Sequence, residues 1–68
     1  MIYYSTQRPI APGTFPQIPG NRIIRVENFE ARTFIGNIGR EAWGLIEYQD
    51  PINEKAQEYE LTLSNEIL

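Results

Sequence analysis

The run from Arg40 to Leu63 constrains this chain more than any other part of it. It reads R-E-A-W-G-L-I-E-Y-Q, then D-P-I-N-E-K-A-Q-E-Y, then E-L-T-L. Glu41–Gln49 has strand chemistry, with Trp43 and Leu45 alternating against Ala42, Gly44, Ile46 and Tyr48. Apolar side chains on both faces predict a central strand. Gly44 between two large residues predicts a bulge or a close approach of another group. Asp50-Pro51 is a helix-start pair: the carboxylate can cap free amides and proline suits the first helical position. Ile52, Ala56 and Tyr59 then fall on one stripe of a short helix. Two turns are too few to hold alone, so the helix must dock on a sheet. Glu60–Leu63 follows as an edge strand with Leu61 and Leu63 turned inward.

The first half adds strands and one segment that can be neither helix nor interior strand. Ile2–Ser5 is β-branched and aromatic. Residues 7–20 carry prolines at 9, 12, 16 and 19 and glycines at 13 and 20. Missing donors and pinned φ angles make this an extended, proline-rich arm. Its apolar residues Ile10, Phe15 and Ile18 predict that it lies against the body. Residues 22–27 form a strand with Ile24 and Val26 on one face. Asn28-Phe29-Glu30 is read as a turn, Ala31–Ile35 as the returning strand, and Gly36–Gly39 as the next turn. Asn65–Leu68 is expected to fray. The expected fold class is α+β: a small antiparallel sheet of 4–5 strands, one short helix packed on a face, and the proline-rich N-terminal arm.

At 68 residues the chain is read as one small domain, residues 1–68, with arm 7–20 and sheet-plus-helix core 22–63. Such a chain buries only ~60% of the surface its unfolded form exposes. With neither cysteine nor histidine, it lacks a disulfide framework and an ordinary zinc site. A well-filled core, a partner or a second copy must supply what those props would.

The same two absences weigh against catalysis. Histidine is the usual group poised near neutral pH, and none is present. Ser5 and Ser64 have no base in the pattern. Glu58 and Glu60 fall where a solvated face is expected, whereas paired carboxylates need a cleft that separates their pKa values. No EF-hand spacing occurs, and Gly36-x-x-Gly39 before Arg40 is explained by a turn. The expectation is a non-enzyme with no cofactor and no metal.

Net charge is −3, unevenly placed: residues 1–40 carry +3 and residues 41–68 carry −6. Pairing of opposite charges between neighbouring strands is the simplest reading. No apolar run reaches membrane-span length, and nothing at Met1-Ile2-Tyr3-Tyr4 resembles a signal peptide. A complete, cytoplasmic short protein without membrane contact is expected.

Two functional classes remain. The favoured one is a protein-binding module, or one that self-associates. Its candidate contacts are Arg8 and Phe15 on the arm, where loops carry recognition, with Arg40, Trp43 and Tyr48. Trp43 is read first as core and only second as a contact. The runner-up is a nucleic-acid-associated protein using Arg22, Arg25, Arg32 and Arg40 with neighbouring aromatics. A sequence pI near 4.7 runs against its basic footprint. The arm's two P-x-x-P spacings are a weak sign of docking into an aromatic groove.

Tyr3-Tyr4-Ser5-Thr6-Gln7-Arg8-Pro9 with Pro12-Gly13-Thr14-Phe15-Pro16, then Ile38-Gly39-Arg40-Glu41-Ala42-Trp43-Gly44, then Tyr59-Glu60-Leu61, carry a resemblance over nearly the whole chain. The pattern resembles a family of short proteins, without an assigned activity, from Gram-positive bacteria and their conjugative or phage-like elements. It is similar to small modules attached to large multidomain proteins of those elements. The resemblance implies an accessory protein of a mobile element that acts by contact with other macromolecules. It brings no catalytic residues with it.

Overall fold

A computed structural model describes residues 1–64; the expectation for Asn65–Leu68 lies outside the described residues. Four strands and one helix follow in the order β1 (Ile2–Ser5), β2 (Ile23–Ile35), β3 (Arg40–Tyr48), α1 (Glu54–Glu58) and β4 (Leu61–Leu63). They form a four-stranded antiparallel sheet in the order β2-β3-β1-β4. β3, apolar on both faces, is internal as its composition requires, and β4 lies at one edge.

Each face of the sheet has its own apolar cluster. On one face Tyr3, Ile46, Tyr48 and Leu61 pack with Ile52 and Ala56 from the helical segment and Ile10 from the connection between β1 and β2. Phe15, Ile18, Ile23 and Tyr59 close its margin. The rings of Tyr3 and Tyr48 meet edge to face, with centroids 5.9 Å apart at 84°, a favoured aromatic geometry. On the other face Tyr4, Ala42 and Leu45 are covered by Ile2, Phe29, Ile35 and Ile38. The β2–β3 hairpin thus curls back over the sheet that it belongs to.

That curl corrects the sequence reading of β2. The turn expected at Asn28-Phe29-Glu30 does not form, and Ile23–Ile35 is one strand. The additional residues are absorbed as an irregularity, because β2 runs from Asn28 to Thr33 while β3 runs only from Gly44 to Ala42. Such insertions bend and twist a strand without ending it. The bend also breaks the alternation expected in β3, since Ala42 joins Leu45 in one cluster. A second slip leaves Ile24 as the extra residue between Ile23↔Tyr48 and Arg25↔Glu47. Ile23 consequently faces the core, while Ile24 and Val26 are exposed.

Gly44 makes the irregularity sterically feasible. A Cβ there would stand 2.5 Å from the carbonyl oxygen of Glu27 and 2.7 Å from Oδ1 of Asn28. The expected close approach is real, and the group that approaches is the neighbouring strand.

The helix starts later than Asp50-Pro51 suggests. Asp50 engages Asn21 instead: its N–H donates to Oδ1 at 2.9 Å, and Nδ2 of Asn21 donates to its carbonyl at 2.9 Å. With the backbone of Asp50 bound to another segment, α1 begins at Glu54 after Asn53, whose φ is 51° and whose side chain makes no capping bond. The helical stripe is not formed as expected, because α1 contains only Ala56 of the three residues; Ile52 and Ala56 are nevertheless buried and Tyr59 partly so. Leu61 is buried as expected, but Leu63 is 39% exposed, because it sits on the outermost strand, where little apolar surface remains to cover it.

Candidate interaction surface

The five candidate residues do not form one site. Tyr48 has no exposed surface, and its hydroxyl donates a 2.6 Å hydrogen bond to the carbonyl of Pro16. It therefore holds the β1–β2 connection onto the sheet and cannot touch a partner; an aromatic on an internal strand is taken up by its own core. Burial, with smaller contributions from Tyr3 and Tyr59, pushes its pKa up from 10.0 to about 12. Arg8 is exposed and pairs with Glu60 at 2.7 Å. Its carbonyl accepts from the Ser5 hydroxyl. Phe15 is half-buried against the first cluster. Both residues engage the domain's own scaffold.

Arg40 and Trp43 lie together at the free end of the β2–β3 hairpin, but an odd spacing on one strand turns them to opposite faces. Trp43 belongs to neither apolar cluster and is only half-buried, which corrects its reading as core. The hairpin's curl buries Ala42 and carries the adjacent indole outward. Phe34 stands opposite Glu41 in the ladder, and residues i and i+2 of a strand share a face. Arg32, Phe34, Glu41 and Trp43 consequently form one outward patch. Within it the Arg32 guanidinium carbon lies 5.9 Å from the Trp43 ring centre, within cation–π range. The same guanidinium pairs with Glu41 at 2.9 Å. Phe34 is 65% exposed, the highest value among the large apolar side chains of the described residues.

Sequence reasoning missed Phe34 as a primary candidate because strand alternation alone does not say which face the core covers. The expected turn at Asn28-Phe29-Glu30 also hid that residues 23–35 form one strand, whose far end carries Phe34.

Charge pairing between strands runs as the charge distribution implied. Arg25 meets Glu47 at 3.1 Å and Arg32 meets Glu41 at 2.9 Å across β2 and β3, while Arg25 also lies 3.7 Å from Glu27 on its own strand. Two of the four arginines required for a basic footprint are thereby partly neutralised by neighbouring carboxylates. An open cleft of about 420 Å³ is lined by Gln17, Ile18, Pro19, Asn21 and Ile23. It contains no ionisable side chain, so nothing in its lining could transfer a proton near neutral pH. Among the described residues, no helix is long and apolar enough to cross a membrane.

No curated protein and no solved structure matches the chain. A family model described as defence against restriction A C-terminal matches residues 1–66.

Proposed function

The chain belongs to the defence against restriction A C-terminal family, and on that premise we propose that it is a non-catalytic, protein-binding accessory module of a bacterial mobile element. The observation that carries this reading is the hairpin patch. Phe34 is largely exposed, Trp43 is half-buried outside both clusters, and Arg32 stacks between the indole and Glu41. Trp and Arg are the residue types that dominate binding energy at protein interfaces, where aromatic anchors enter pockets and water is excluded around them. Arg32 already contacts the Trp43 ring and the Glu41 carboxylate, which limits the side-chain freedom lost on docking.

Arg8 and Phe15, on the proline-rich arm, hold the arm to the scaffold through Glu60 and the first apolar cluster. The family's description supports a mobile-element setting, in which defence against restriction has an evident use. Action in the cytoplasm follows from that setting.

The nucleic-acid alternative draws on the same patch, because an exposed ring beside a guanidinium can stack a base. The carboxylates bound to Arg25 and Arg32 favour a protein partner.

Replacing Phe34 with a photoreactive residue and irradiating native cells tests the reading. A discrete protein adduct is expected, absent when Trp43→Ala is added and absent when the probe stands at Glu54. Adducts to nucleic acid, or the same proteins from both positions, would reject it. For any partner so identified, affinity should change little with salt, whereas a phosphate-dominated contact would weaken steeply.

A further inference from the structure

The outer edge of β2 is a second surface, distinct from the hairpin patch. β2 has 13 residues and pairs only with β3, which leaves its other side unpaired among the described residues. Unpaired backbone groups along such an edge are a template for another strand. The uninterrupted part of the strand, Arg25–Asn28, is in clean register with Glu47–Gly44. Val26 stands opposite Ile46, a fully buried core residue, yet is itself 45% exposed; Ile24 beside it is 53% exposed. The apolar core on this face therefore stops at the edge without being capped.

We propose that this edge pairs antiparallel with the same edge of a second copy of the chain, about a two-fold axis through Val26. The argument is the charge pattern. In that register Val26 meets its own copy, Arg25 faces Glu27 of the other copy, and Glu27 faces Arg25. Opposite charges directly across a ladder stabilise it and like charges destabilise it. A parallel pairing in register would set Arg25 against Arg25 and Glu27 against Glu27, so the pattern also selects direction. Charged residues normally protect an edge from pairing; here their alternation about one apolar residue makes the strand complementary to itself. A two-fold contact of this kind is closed for the β2 edge, because each copy uses that edge once. The hairpin patch around Phe34 lies beyond the paired segment and stays free for a different protein.

Sedimentation equilibrium of the wild-type chain should show mass rising from one copy toward two between about 10 μM and 1 mM, by mass action. Glu27→Arg places like charges across the axis and should remain monomeric over that range. Arg25→Glu should do the same for the opposite sign. Mixed in equal amounts, these two variants regain both opposite-charge pairs and should associate one to one. Circular dichroism at low concentration, unchanged in each variant, separates lost pairing from lost folding. A wild-type chain that stays monomeric to about 1 mM would overturn the proposal and leave the edge to a strand of another protein. Association of either single variant as strong as wild type, or no association in the mixture, would equally overturn it.

Discussion

The Asn28 side chain holds Ile10 by both of its backbone groups: the Ile10 N–H donates to Oδ1 at 2.8 Å, and Nδ2 donates to the Ile10 carbonyl at 2.8 Å. One amide thereby does for the β1–β2 connection what a neighbouring strand would do. Asn21 repeats the arrangement on Asp50. A segment rich in proline cannot join a ladder, so side-chain amides supply the pairing.

Asn28→Ala removes both bonds and should destabilise the domain by about 1–3 kcal/mol, at ~0.5–1.5 kcal/mol per hydrogen bond. Asn28→Asp keeps the acceptor alone and should fall between the two. Urea unfolding measures both; a midpoint unchanged in Asn28→Ala would mean that the clamp contributes nothing.

Gly44→Ala should be costly because its Cβ meets backbone at 2.5 Å, and backbone cannot rotate away. A loss of about 1–3 kcal/mol is expected for overpacking of this kind. Part of the conflict is with Oδ1 of Asn28 at 2.7 Å. In an Asn28→Ala background the same substitution should therefore cost less, giving a coupling of about 0.5 kcal/mol or more in a double-mutant cycle. Strict additivity would show that the two residues do not share one cause.

Tyr48→Phe deletes the bond to Pro16 and leaves that carbonyl without its protein donor. A loss of about 1–2 kcal/mol is expected near neutral pH. The pKa of Tyr48 is raised in the fold, from 10.0 to about 12, so the folded state prefers the protonated phenol. Its contribution is fully present below pH 10 and is lost as pH rises through about 12. The stability gap between wild type and Tyr48→Phe should accordingly narrow above pH 10 in urea titrations. A gap that stays constant across that window would contradict the assignment.

Glu60 ends the helical segment with φ at 56°, in the left-handed region. Both Glu60→Ala and Glu60→Gly lose the exposed pair with Arg8, worth ~0–1 kcal/mol at most. Only glycine takes this φ without steric cost. Glu60→Gly should therefore be more stable than Glu60→Ala by about 1 kcal/mol. Equal thermal midpoints would show that the backbone there relaxes freely.

Several elements were legible from residue type alone because their causes are local. β1 was bounded by its own β-branched and aromatic residues. β3 announced its internal place by apolar side chains on both faces. A short helix after residue 50 with Ala56 turned inward follows from its residue types, and the Gly36–Gly39 turn from two glycines, of which Gly39 takes φ 67°. Strand-to-strand charge pairing followed from arginines concentrated before residue 41 and carboxylates after it.

What failed had causes far away in sequence. Asp50 looks like a helix cap until Asn21 claims its backbone. Asn28 looks like a turn residue, yet it serves as a clamp once Gly44 admits it. Trp43 looks like core, and stays half-buried outside both apolar clusters because the hairpin curls. The amino-acid order determined which segments extend, which one coils, where no donor is available and how charge is divided. Tertiary structure decided which face of each strand is covered, because burial depends on distant segments arriving over it. For that reason the exposed aromatic patch and the self-complementary edge emerge only once the strands are set side by side.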